Sequence, residues 1–322
     1  MKPTNCLIFG ASGQIGRHLI RKLTKNNYII TAYTRSVHQK GYILKTQANA
    51  GYINVVEGSL FDEAKLRSLI KKTDICINLV GILFEKGKVN TFKNIHSTFP
   101  NLISKICNEY KVKQFIQLSA LGIDDAIDSN YAKSKLEGEN NVKKNFSKTI
   151  ILRPSVVYSV DDNFTTNFMT LLNRMPIFPL YYKGRTKFMP IHSSDMTEII
   201  YQVMKKNLSS LTVECIGPET ISLKEILKKL LKIINKKRLL VPIPLSIARL
   251  SAKFFQLMPK PLFTEDQLNL LKYDNISSGK YKNNFNIEIP SYHIFEQEVE
   301  KYAFMWRETG QFFVKKNNLK NE

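Results

Sequence analysis

The run CLIFGASGQIG at residues 6–16 decides the fold. Cys6, Leu7, Ile8 and Phe9 are apolar in succession, as in a strand buried on both faces. Beyond the glycines, Ile15, Leu19, Ile20 and Leu23 recur at helical spacing, which predicts a helix over residues 13–25. Gly10 permits the tight turn off the strand. Gly13 lets a backbone approach a pyrophosphate, and Gly16 lets the helix pack close to the sheet. The helix N-terminus then offers free N–H groups and a positive dipole end to phosphates. Gly10, Ala11, Ser12, Gly13, Gln14 and Ile15 are therefore candidate contacts of a dinucleotide.

Working outward, strands are expected over 28–33, 52–56, 75–80, 114–118 and 149–152, with helices over 64–70, 99–110 and 131–142. Repeated β-α units of this length give a doubly wound parallel sheet of the Rossmann type. After Arg153-Pro154 the pattern loosens into proline-bounded pieces, with a helix from Asp195 to Lys206 and a strand over 212–216. An amphipathic stretch over 223–238 follows, with Ile226, Leu227, Leu230, Leu231 and Ile234 on one side. The expected organisation is a nucleotide-binding domain over 1–155 and a smaller, mainly helical lobe over 156–312 interleaved with the sheet. A basic tail follows at 313–322.

The second strand ends in Thr34-Arg35-Ser36. A site that prefers NAD(H) places a carboxylate there to accept from the ribose 2′-OH. Arg35 cannot accept, but its planar fork suits a 2′-phosphate, so NADP(H) is expected over NAD(H). Ser36 adds a donor, and Arg17 on the first helix is expected nearby. Ser59 and Leu60, after the third strand, are candidate neighbours of the adenine, and Asp62 is read as a helix cap. Val80 and Gly81 follow the fourth strand at the sheet edge where ligands bind.

Tyr131 and Lys135 lie four apart on a helix and so share a face. A neighbouring ammonium lowers a phenol pKa and makes it a usable acid/base. With the glycine run, and with FIQLSA before it and LRPS after it, the chain resembles the short-chain dehydrogenase/reductase superfamily in its extended branches. In that superfamily Tyr131 would be the acid/base and Lys135 would hold the nicotinamide ribose. Ser119 would polarise substrate, and Pro154 would lie near the nicotinamide. The succession SALG, YAKSKLEGE, LRPSVVY, Asp161-Asp162-Asn163-Phe164, PIHSSD, IGPE, LFTEDQ and Tyr273-Asp274-Asn275 is more specific. It resembles the nucleotide-binding accessory subunits of respiratory complex I (NADH:ubiquinone oxidoreductase), the thirty-nine-kilodalton type, and their bacterial homologues. That resemblance implies a held NADPH, complex I subunits as partners and a structural or assembly role. An active NAD(P)-dependent reductase or nucleotide-sugar epimerase/dehydratase using Tyr131 and Lys135 stays open beside it, with no substrate indicated. Only twelve positions separate Ser119 from Tyr131, a shorter gap than the sugar-nucleotide enzymes have.

The net charge of +21 permits a polyanion partner, although lysine-rich compositional drift explains it equally well. No basic-aromatic module or recognition helix points to nucleic acid. Cys6, Cys76, Cys107 and Cys215 form no C-x-x-C pair and read as free thiols of a reducing compartment. No metal site is expected, since the five histidines are dispersed. His192 is read as a strand end and Asp195 as the cap of the following helix. The early first strand leaves no room for a leader, and no apolar run reaches the roughly 18 residues that span a bilayer. A cytoplasmic protein is expected, with peripheral contact at the inner face of a membrane, or one on the matrix side if organellar. An apolar-basic helix between Pro244 and Pro259 is read as part of the helical lobe over the cofactor, or as an amphipathic docking element.

Overall fold

A computed structural model of the chain describes residues 3–256, 258, 261, 263–308 and 310–312; the basic tail expected at 313–322 lies outside the described residues. Five β-α units and a sixth strand begin it: β1 (Thr4–Phe9), α1 (Gln14–Thr24), β2 (Tyr28–Thr34), α2 (Val37–Lys45), β3 (Ile53–Glu57), α3 (Glu63–Ile70), β4 (Ile75–Asn78), α4 (Phe99–Glu109), β5 (Gln114–Leu118), α5 (Asn130–Asn145) and β6 (Ile150–Pro154). Along β1 the side chains alternate between two cores. Cys6 and Ile8 meet α1 and a later helix, whereas Leu7 and Phe9 meet α3 and α4. Both faces are thus covered, which is why the strands lack polar alternation.

The second half of the chain supplies β7 (Val157–Tyr158), α6 (Thr165–Arg174), β8 (Ile177–Leu180), β9 (Lys187–Phe188), β10 (Ile191–His192), α7 (Ser193–Lys205), β11 (Leu211–Cys215), β12 (Ile221–Ser222), α8 (Leu223–Ile233), β13 (Leu239–Pro242), α9 (Leu245–Gln256), α10 (Glu265–Leu270), β14 (Lys282–Asn283) and α11 (Phe295–Ala303). The central sheet has eight parallel strands in the order β14-β11-β6-β5-β4-β1-β2-β3. Two strands of the second half therefore complete the sheet of the first. The order reverses between β1 and β4, so their C-terminal ends leave a crevice. A separate apolar core joins α6, α8 and α11.

Three local expectations change. Strand β4 stops at Asn78, short of residue 80, because the Asn78 amide oxygen accepts from Val80 N at 3.1 Å and turns the chain. Helix α2 is not marked by an apolar stripe in the sequence: it has only two buried residues, one of them Gly41. It forms because Ser36 caps it and Glu57 accepts from Val37 N at 2.6 Å. Finally, a π-helical segment (Lys93–Thr98) runs directly into α4, a geometry rare outside functional sites.

Candidate functional site

A cleft of about 460 Å³ opens at the crevice between β1 and β4. Gly10, Ser12 and Gly13 line it at the glycine turn, Arg35, Ser36, Gln39 and Lys40 form a rim after β2, and Leu60, Val80, Gly81, Ile82 and Asn90 complete the lining. Gly10 has φ +77°, and a Cβ there would lie 2.9 Å from the Leu79 carbonyl carbon. A Cβ on Gly16 would lie 2.4 Å from the Ala11 oxygen, so α1 crosses the turn at backbone contact. Gly13 caps α1 with no side-chain bond, leaving the first-turn N–H groups directed at the cleft floor. This is the arrangement a dinucleotide phosphate requires.

Not every expected residue reaches the cleft. Ala11 is buried beneath it, and Ile15 packs on the core. Gln14 turns away, donating to Ser159 Oγ at 3.0 Å and Ser193 Oγ at 2.8 Å. Ser59 does not line the cleft: its carbonyl accepts from Tyr33 Oη at 2.7 Å and its Oγ from Phe61 N at 3.3 Å, while Asp62 caps α3. Arg17 is also diverted. It bonds Asp161 and the Ser12 carbonyl, bracing the glycine turn against the lobe. Arg35 stands at the rim, donating to Asn90 Oδ1 at 3.0 Å. Gln39, Lys40 and Asn90 were missed, since α2 and the loop before the π-helix carry no periodic signal.

At the far end, Lys135 Nζ lies 5.8 Å from the Tyr131 ring centre and donates to the Leu118 carbonyl at 3.4 Å. It borders the cleft through Gly81, whose would-be Cβ falls 3.3 Å from that nitrogen. The expected lowering of the Tyr131 pKa is not seen. Burial, reinforced by Asp266, pushes the phenol up to about 12, and burial pulls Lys135 down to about 8 against the pull of Glu139. Desolvation outweighs the attraction of a cation that is not in hydrogen-bond contact. Asp266 of α10 also accepts from Ser129 Oγ, Asn130 N and Tyr131 N, so the lobe caps the helix that carries Tyr131. The Ser119 hydroxyl is buried without a hydrogen-bond partner among the described residues, and Pro154 closes β6 beside it.

His96, which the sequence did not single out, joins these parts. Its Nε2 accepts from Ile82 N at 3.1 Å, so its Nδ1 bears the proton and donates to Ser134 Oγ at 2.9 Å. Its ring stands edge-on to Tyr131, 5.1 Å between centres. Burial and then Lys135 hold its pKa down at about 2. Because the folded value lies below the unfolded one, the unfolded chain takes up the proton first as pH falls. Stability is therefore lost below about pH 6.5. Between pH 7 and pH 5 this group alone is expected to remove about 2 kcal/mol. Urea titrations at the two pH values check this, and His96→Gln should abolish that share of the difference.

Two of the histidines dispersed in sequence lie together in space. Ligand atoms of His192, His293 and Glu298 lie within 4.8 Å of one another. Asp195 is not the cap of α7. His192 is, its Nδ1 accepting from Ser194 N at 3.3 Å, while Asp195 accepts from His293 Nδ1 at 2.7 Å and from Tyr292 and His293 N–H. With Nδ1 so used, His192 Nε2 carries a proton, which leaves His293 and Glu298 as the only lone-pair donors of the set. A cation centre needs at least one more.

The parallel sheet, the glycine turn under α1 and the cleft at the switch point define a Rossmann-type dinucleotide binder. Residues 10–174 match the family described as NAD(P)H-binding, and the chain belongs to that family. It is similar to the mitochondrial NADH dehydrogenase [ubiquinone] 1 alpha subcomplex subunit 9 of Arabidopsis thaliana, 23% identical over 95% of this chain and 79% of that one. The 40 kDa subunit of the Neurospora crassa mitochondrial NADH-ubiquinone oxidoreductase is 23% identical over 85% of this chain and 72% of its own. Among solved structures, a dTDP-glucose 4,6-dehydratase from Bacillus anthracis, in complex with NAD, superposes with a TM-score of 0.70. It covers 96% of this chain and 98% of its own at 13% identity. Among the described residues no helix is long and apolar enough to cross a membrane.

Proposed function

We propose that this chain holds NADP(H) as a largely structural cofactor and serves as an accessory or assembly subunit of a respiratory NADH:quinone oxidoreductase at a membrane. The carrying observation is the cleft rim. Arg35 and Lys40 line it with Ser36 and Gln39, and no carboxylate is among the lining residues. Such a rim favours a 2′-phosphate over a bare 2′-OH. In this reading Gly10 to Gly13 and the start of α1 bind the pyrophosphate, Leu60 and Val80 flank the adenosine half, and Gly81, Lys135 and Pro154 border the nicotinamide half. The setting is supported by the similarity to complex I subunits over most of the chain.

Native purification from membranes, with identification of the bound nucleotide and the co-purifying polypeptides, tests both halves. Stoichiometric NADP(H) with respiratory subunits is expected; a free, nucleotide-less protein overturns the reading. Arg35→Asp should weaken NADP(H) roughly 10–100-fold relative to NAD(H), since a hydrogen bond to a charged group contributes about 1.5–3 kcal/mol. Competitive titration of the two nucleotides reads the ratio.

One observation favours turnover instead. The unpartnered Ser119 hydroxyl and the Tyr131–Lys135 pair lie at the same end of the sheet. A Tyr131→Phe variant that binds nucleotide and supports the respiratory complex as wild type does would remove catalysis from the account.

A further inference from the structure

Helix α9 is built inside out. Its small residues Ala248 and Ala252, 2% and 0% exposed, face the protein and pack with Tyr181 and Leu268. Its large ones, Ile247, Leu250 and Phe254, are 53%, 71% and 69% exposed. At 100° per residue these three fall on one stripe centred about 150° round the helix from the alanines. Leu245 and Met258 extend the exposed apolar surface at the two ends. Arg249 and Lys253, both exposed, run along one flank of the stripe. Placing the large apolar side chains inward would have gained burial, so the outward stripe is a surface that needs cover.

The charge around it indicates what the cover is. From residue 226 to residue 264 the sequence contains no Asp or Glu, against nine Lys and Arg; Lys229, Lys232 and Lys236 pair with Glu296 and Glu308, whereas Arg249 and Lys253 lie exposed on α9 itself. A protein groove or a second copy of this chain, itself at +21, would have to bring acidic groups to such a surface. An anionic bilayer offers both an apolar layer at the depth of one helix face and negative headgroups at its margin. We propose that the outward face of α9 docks on an anionic phospholipid bilayer, with Ile247, Leu250 and Phe254 inserted at the acyl boundary and Arg249 and Lys253 on the headgroups. The helix lies in the interface plane and does not span it. The docking deepens the membrane-associated reading above and rests on it for its setting.

The test is flotation of the full chain with vesicles of phosphatidylcholine containing roughly one quarter phosphatidylglycerol, against pure phosphatidylcholine. Bound nucleotide is measured on the same preparation, so docking and cofactor holding can fail separately. Leu250→Ser/Phe254→Ser changes two exposed side chains and should leave folding and nucleotide content intact while lowering the bound fraction at least tenfold. Arg249→Gln/Lys253→Gln should weaken binding and flatten its dependence on salt. A Phe254→Trp variant should shift its emission to the blue on the anionic vesicles. Flotation of the serine variant equal to wild type would reduce the effect to general attraction by a basic protein and overturn the proposal. Absence of flotation would do the same, as would a dimer in gel filtration that the serine variant dissociates.

Discussion

Replacing Arg153 with methionine is expected to remove about 3–5 kcal/mol of stability. Arg153 is 1% exposed although it is the longest side chain of β6. Its Nε and Nη2 donate to the two Glu139 oxygens at 2.8 Å each, and its Nη1 and Nη2 donate to Asp124 at 2.5 and 3.2 Å. The Tyr281 ring covers the guanidinium, 4.4 Å from its centre. Glu139 is 1% exposed as well, so the methionine variant leaves a buried carboxylate with no hydrogen-bonded cation, only Lys143 at 3.8 Å. The penalty arises from that stranded charge more than from the lost pair. A second change, Glu139→Met, should therefore recover a good part of it. Urea midpoints for the wild type, both single variants and the double variant give the coupling directly. Additive losses would show that the pair is not the unit described here.

Gly10→Ala is expected to abolish nucleotide retention while leaving most of the fold in place. An alanine at φ +77° costs about 1–2 kcal/mol in backbone strain alone. Its Cβ also meets the Leu79 carbonyl carbon at 2.9 Å and oxygen at 3.0 Å. Leu79 follows directly on β4, the central partner of β1, and its N–H bonds the Phe9 carbonyl at 3.0 Å, so it cannot retreat. The turn must give instead, and it carries Ser12, Gly13 and the first turn of α1 with it. Affinity should fall about 100-fold or more, equivalent to roughly 2.8 kcal/mol, as read by calorimetry on the stripped protein. A variant that retains nucleotide normally would show that the phosphates are held elsewhere.

The sheet was legible because its signals are local. The apolar run at residues 6–9 and the three glycines require neighbours only a few positions away, and so does the stripe on α8. What was not legible depends on contacts distant in sequence. Asn78 ends β4 early through a turn that a hydropathy pattern does not register. In the sequence His96 is one more polar residue before α4; its role shows only when Ile82 and Ser134 meet it from two sides. Arg17 follows the glycine motif in sequence, yet Asp161, brought over by the lobe, draws it away from the cleft. The pairing of Tyr131 with Lys135 was readable from spacing, but their proton affinities were not, because burial sets those and burial is a property of the assembled fold.

The interleaved sheet also constrains how the chain is made. Strand β6 ends at Pro154, but its outer neighbour begins only at Leu211, and that strand awaits Lys282 in turn. A ribosome adding about 5–20 residues per second leaves the edge of β6 uncovered for roughly 3–12 s before β11 emerges. During that interval the unpaired backbone edge of β6 is open to solvent, the circumstance in which sheets pair with the wrong chain. Ribosome-bound chains halted near residue 200 should aggregate on release, while those halted beyond residue 290 should not. The feature that gives the cofactor a continuous platform thus makes the unfinished protein a client of folding assistance.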